Sequence, residues 1–241
     1  IEKYGAKAGT AIVMDPSDGA IMALASSPSY DPANYWEYGN EFFKNPAVSD
    51  TFEPGSVFKI LVMAAALDAK VVEADTICDI CSGPLRVDKY QIETWNNKYF
   101  PDSTMKDIIV NSDNVGMSFV GQKLGADALY DYLAKFGIGK LTGIDLQGEA
   151  TPKLRERGTW NIVDLATASF GQGVAITPIQ MIKAASILAN GGYEVTPYVV
   201  KELQKDGWSE DVRPKTGSKI LSDSTIADIK AMMVEAAKYG E

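Results

Sequence analysis

From Ile60 to Leu67 every residue is apolar, and Pro54-Gly55 stands just ahead of the run. A continuous apolar stretch of that length behind a helix-breaking pair predicts a buried helix from Ser56 to about Ala69. Towards the N-terminus, Gly9–Asp15 and Ala20–Ser26 read as strands around a Pro16–Gly19 turn, so a β-hairpin is expected there. Most positions of both strands are apolar, which predicts a sheet covered on both faces. Ser27 to Asp50, with Pro28, Pro32 and Pro46 among several aromatics, reads as an irregular surface segment.

Further on, Val71–Pro101 is a polar excursion with a short hairpin around Leu85–Trp95. Helices are expected over Asp102–Val110 (capped by Asp102 or Ser103), Val115–Leu124 and Ala126–Phe136, the last two stopped by Gly125 and Gly137. Gly139–Gly158 is loop-like. Thr177, Pro178 and Gln180 form a capping box for a helix ending at Asn190-Gly191-Gly192. Tyr193–Leu203 reads as extended, Asp206–Lys219 as a polar connection, and Ser224–Lys238 as an amphipathic helix. Helices outnumber strands, so residues 1–241 are expected to form one α+β domain.

Chemistry enters at the mouth of the apolar helix. Lys59 follows Ser56 by three residues, a spacing that puts both side chains on one helical face. A lysine at the entrance of a buried helix loses hydration, which lowers its pKa and makes it a candidate base. Ser56 and Lys59 are therefore a candidate nucleophile and base. A second Ser-x-x-Lys, Ser103 to Lys106, reads instead as an ordinary helix start.

Composition sharpens this choice. The chain has no histidine, which excludes Ser-His-Asp and Cys-His catalysis and leaves lysine as the leading base. A net charge of −9 argues against nucleic acid and anionic membrane surfaces. No cofactor or metal site is expected: Cys78 and Cys81 lack the second pair or the histidines that zinc needs. A local disulfide and two loop thiols both remain open for that pair.

Ser112-Asp113-Asn114 supplies a second candidate constellation. Between two helices, Ser112 could pass a proton to a leaving amine and Asn114 could hold a substrate carbonyl. Alternatively, these side chains simply cap the helix that begins at Val115.

Pro-Gly-Ser-x-x-Lys opening a buried helix, followed by Ser-x-Asn, resembles the penicillin-binding transpeptidases. The similarity is greatest to their monofunctional, high-molecular-weight members of cell division and elongation. It extends to Met14-Asp15-Pro16, Pro28 to Pro32, Phe52 to Ser56, and Gly171 to Gln180. The resemblance implies a β-lactamase/transpeptidase-like fold, with helices packed on a mainly antiparallel sheet. It implies catalytic Ser56, Lys59, Ser112 and Asn114 acting on peptidoglycan stem peptides that end in D-Ala-D-Ala, and inhibition by β-lactam antibiotics. The Ser56 N–H would supply half of an oxyanion hole. A membrane-anchored parent on the extracytoplasmic face, with partner proteins of cell-wall synthesis, is implied as well; a Cys78–Cys81 disulfide is permitted there.

The family also needs a Lys-Thr-Gly strand. Lys215-Thr216-Gly217 matches by letter, but Pro214 before it and Ser218-Lys219 after it make a broken, polar context for a buried strand. The expectation is that Lys215 is exposed and far from Ser56, and that the true strand lies beyond Glu241, so that the chain is an incomplete domain of weak activity. Two alternatives keep the fold and change the function: a non-catalytic β-lactam-binding scaffold, and a serine β-lactamase.

Overall fold

The computed structural model describes residues 1–214 and 217–240. Strands β1 (Gly9–Met14) and β2 (Ile21–Ser27) pair antiparallel, Gly9 opposite Ser27 and Ala11 opposite Ala25, with a register shift between Val13 and Met14. The irregular segment after β2 carries two 3₁₀ turns, Pro32–Glu37 and Asn40–Phe43, before the short helix α1 (Pro46–Ser49). A 3₁₀ turn over Gly55–Phe58 then runs directly into α2 (Lys59–Asp68). The helical turn thus opens at Gly55, one residue before Ser56, and the α-helix proper opens at Lys59.

Strands β3 (Leu85–Val87) and β4 (Tyr90–Ile92) form the expected short hairpin. Helices α3 (Met105–Val110), α4 (Asn114–Leu124) and α5 (Ala126–Lys135) follow, then α6 (Ile162–Ala168) and α7 (Pro178–Ala189). Another hairpin, β5 (Glu202–Lys205) with β6 (Trp208–Asp211), precedes the last helix α8 (Asp223–Tyr239). The sheets are thus antiparallel and the class is α+β.

Helix α2 is the axis of the packing. Leu61 through Ala66 are fully buried, because α4, α8, α3 and α5 enclose the helix. Val115, Met117, Leu129, Leu133, Ile229 and Met232 supply the surrounding apolar surface. Asp68, at the end of α2, ties it to its neighbours: it accepts from Tyr132 Oη at 2.8 Å, Ser222 N at 2.9 Å and Thr225 Oγ1 at 3.0 Å. A side chain at Gly121 would collide with the Ser169 hydroxyl, so glycine there allows α4 to approach α6.

Several expectations are corrected. Thr104, not Asp102 or Ser103, caps α3, in a reciprocal box with Asp107. Asp102 sits at φ 60°, and the Ser103 hydroxyl is spent on Phe100 O at 2.7 Å. The first hairpin is not covered on both faces: Val13 and Met22 are 56% and 69% exposed. Only alternate residues, such as Ile12 and Ile21, rest on the small apolar cluster of Val48, Ile144 and Ile179. The polar connection after Leu203 contains β6, paired around Asp206-Gly207. Cys78 and Cys81 form a disulfide, and both are buried. Among the described residues, no helix is long and apolar enough to cross a membrane.

Candidate active site

The Pro54-Gly55 elbow is held by the glycine-rich segment after α6. Gly55 N donates to Gly171 O at 2.9 Å, and Phe52 and Ile176 exchange backbone bonds at 2.9 and 3.0 Å. Gly173 N donates to Glu53 Oε1 at 3.0 Å. Gly171 has φ +79°, and a Cβ on it would collide with the Gly55 backbone. The chain passes so closely here that no other residue fits without displacing the elbow.

In a 3₁₀ turn, side chains three apart eclipse one another. Ser56 is exposed, and Lys59, which ends that turn, is 2% exposed. Lys59 Nζ reaches across to the joint between α3 and α4. It donates to Ser112 O at 2.6 Å, Ser112 Oγ at 3.0 Å and Asn114 Oδ1 at 2.8 Å. Ser112 adopts a left-handed conformation (φ 50°), uncommon for a residue bearing a Cβ; both its carbonyl and its hydroxyl bond to the one ammonium.

Asp113 explains why its neighbours are free to do so. Its Oδ1 caps α4, accepting from Val115 N at 2.7 Å and Gly116 N at 3.1 Å. The capping role considered for Ser112 and Asn114 falls to the residue between them. Asp113 is 1% exposed, and its Oδ2 is buried without a hydrogen-bond partner. Burial holds this carboxyl above its ordinary pKa, against the two backbone N–H bonds and the charge of Lys59.

Burial acts on the lysine in the opposite sense. It lowers the Lys59 pKa from 10.5 to about 8, with the Asp113 charge opposing the drop. A base of that strength near a serine, in contact with a second hydroxyl and an amide, can support acyl transfer.

Of the four candidate residues, Lys59, Ser112 and Asn114 meet directly, and Ser56 lies one short turn ahead of Lys59. Ser103 and Lys106 make no such constellation: Ser103 is buried against Phe100 O, whereas Lys106 is exposed. Lys215 lies outside the described residues. Two participants escaped the sequence analysis. Asp113 was passed over between Ser112 and Asn114, and Glu93 accepts from Asn114 Nδ2 through its backbone carbonyl at 3.0 Å, a contact without any side-chain signature.

Comparison with known proteins decides the family. The model of the penicillin binding protein transpeptidase domain matches residues 9–241. The chain belongs to this family. Among the relatives of this transpeptidase domain is Stage V sporulation protein D of Bacillus subtilis, 37% identical over 98% of the chain and 35% of the relative. Peptidoglycan D,D-transpeptidase FtsI of Escherichia coli is 28% identical over 98% of the chain and 38% of the relative. The chain therefore spans little more than a third of the length of these relatives. A crystal structure of penicillin binding protein 3 from Mycobacterium tuberculosis, complexed with aztreonam, superposes with a TM-score of 0.86. It is 29% identical, and the match covers 95% of this chain and 51% of that one.

Proposed function

We propose that this domain is the catalytic part of a serine D,D-transpeptidase that cross-links peptidoglycan stem peptides. The convergence of the buried Lys59 ammonium on Ser112 and Asn114, behind the exposed Ser56, is the observation that supports it. In the first step Ser56 Oγ attacks the carbonyl of the penultimate D-Ala while neutral Lys59 takes its proton. The C–N bond to the last D-Ala breaks, and Ser112 relays a proton to that departing amine. The amine of a neighbouring stem peptide then attacks the ester, forming the new amide and returning the hydroxyl to Ser56. Asn114 orients the substrate backbone, and the Ser56 N–H contributes to the oxyanion site.

β-Lactams acylate the same serine in this scheme. The working location is the extracytoplasmic face of a bacterial membrane, where the stem peptides are. A hydrolytic β-lactamase would need a base aimed at the ester. Glu149, a loop glutamate, has its Oε1 engaged by Thr142 N at 2.6 Å.

The lifetime of the acyl-enzyme formed with a labelled penicillin tests the proposal. In the full-length protein that carries this domain, an adduct that persists for hours, together with D-alanine release from a D-Ala-D-Ala peptide, is expected. Turnover of the adduct within seconds would point to a lactamase, and absence of any adduct and of D-alanine release to a non-catalytic module.

A further inference from the structure

Tyr30, Tyr35, Trp36, Tyr38, Phe42 and Phe43 fall within one short segment, the irregular stretch between β2 and α1. Three of them face solvent: Trp36 is 67% exposed, Tyr35 56% and Phe43 44%. The rings hold one another edge to face. Trp36 and Tyr35 have centroids 5.5 Å apart, Tyr35 and Phe43 6.5 Å, Phe43 and Tyr30 5.1 Å, and Tyr38 and Phe42 5.5 Å. The turn beneath Trp36 is fixed as well, since Asp31 accepts from Ala33 N at 2.9 Å and from Asn34 Nδ2 at 2.8 Å. Rings set in place beforehand lose little freedom when a ligand stacks on them.

This platform leads towards the elbow. A cavity of about 440 Å³ opens beside Tyr30, Phe42 and Phe43. A second, of about 810 Å³, adjoins it, and the two share Pro28, Phe42, Lys44 and Pro46. Phe52 also lines the larger cavity, and it stands four residues before Ser56. Four residues span at most about 14 Å. The trough therefore begins within a short peptide's length of the serine.

Its chemistry selects among occupants. Lys44 is the single cation lining either cavity among the described residues, and Asp31 and Glu37 flank the exposed rings, so a polyanion is disfavoured. The faces of aromatic rings are electron-rich and attract the C–H groups of a flat, hydroxylated ring. Ser26, Ser29 and Asn45 around the smaller cavity add neutral hydrogen-bonding groups. Stacking faces with a few neutral polar groups complement an uncharged saccharide.

Resting on the transpeptidase proposal above, we infer that this platform and trough bind the glycan strand that carries the stem peptides, its sugar rings stacked on Trp36 and Tyr35. A stem peptide that reaches Ser56 is tethered to such a strand, and the trough receives the strand where the peptide ends. Trp36 and Tyr35 position substrate in this arrangement and take no part in the chemistry.

The experiment titrates the full-length protein that carries this domain with chitotetraose, a peptide-free chain of β-1,4-linked N-acetylglucosamine, and follows tryptophan fluorescence and heat of binding. Wild type should bind with a change in fluorescence. Trp36→Ala should weaken the affinity about fivefold, the size of one aromatic contact, and Trp36→Phe, which keeps a ring, should retain most of it. Trp208→Phe, at an exposed tryptophan that lines neither cavity, should leave the affinity unchanged. Thermal melting of Trp36→Ala should match wild type, because the side chain it removes is mostly in water. No binding by wild type, or equal affinity in wild type and Trp36→Ala, would overturn the platform. Penicillin labelling of wild type separates the two proposals. Labelling without glycan binding would overturn the platform alone; glycan binding that depends on Trp36, without labelling, would uphold the platform and overturn the transpeptidase reading; absence of both would overturn both.

Discussion

If neutral Lys59 takes the Ser56 proton, the acylation rate must follow the neutral fraction of Lys59. Burial lowers its pKa from 10.5 to about 8, so that at pH 7 about a tenth of the molecules carry the free base. An unshifted lysine would supply about 300-fold less, because the drop spans about 2.5 pKa units. The corresponding free energy is roughly 3 kcal/mol, the cost of keeping the ammonium out of water. The sign follows directly: the folded pKa is depressed, so raising the pH through about 8 generates base and increases the rate. The second-order rate constant for acylation of the full-length protein by a fluorescent penicillin, measured from pH 6 to 10, reports the pKa of the free enzyme. It should rise about tenfold per unit below pH 8 and level off above. Lys59→Arg, permanently charged, should lose orders of magnitude in rate at every pH. A flat profile between pH 6 and 9, or a midpoint near 10, would refute Lys59 as a base made available by burial.

Asp113→Asn should retain a cap oxygen for α4 while removing the charge that supports Lys59, moving the midpoint of that profile to lower pH; Asp113→Ala should in addition destabilise the fold by about 1 kcal/mol in denaturant titrations. Gly171→Ala should cost at least about 1–2 kcal/mol for its left-handed backbone alone, and should slow penicillin acylation by displacing the elbow, read by thermal melting and by rate. Burial of Asp68 works to raise its pKa, but the bonds from Ser222, Tyr132 and Thr225 outweigh it and the net shift is downward. Its contribution is thus present above the unfolded carboxylate value of about 4 and is lost as pH falls through the lower folded value. Asp68→Asn should melt lower at pH 7 and lose less stability on acidification than wild type.

The buried helix and both short motifs were legible because they rest on local chemistry: an unbroken apolar run, a Pro-Gly stop, and polar residues at a helix joint. What was missed depends on groups that leave no pattern. The β5–β6 hairpin is exposed at every strand position, so no alternation of apolar residues marks it, although Asp206-Gly207 is a turn signal. The start of α3 was misplaced because three successive residues can each cap a helix; backbone conformation at Asp102 and a bond from Ser103 to Phe100 leave Thr104 to do it. The first hairpin was read as doubly buried from its apolar content, yet content does not say what lies against each face. Asp113 was passed over between two more conspicuous neighbours, although its capping is what leaves them free for Lys59.

The most direct test of the central claim is the site of the covalent adduct. After incubation of the full-length protein with penicillin, digestion and mass mapping should place one acyl group on the peptide containing Ser56, and Ser56→Ala should yield none. An adduct on Ser103, or labelling that survives in Ser56→Ala, would contradict the account.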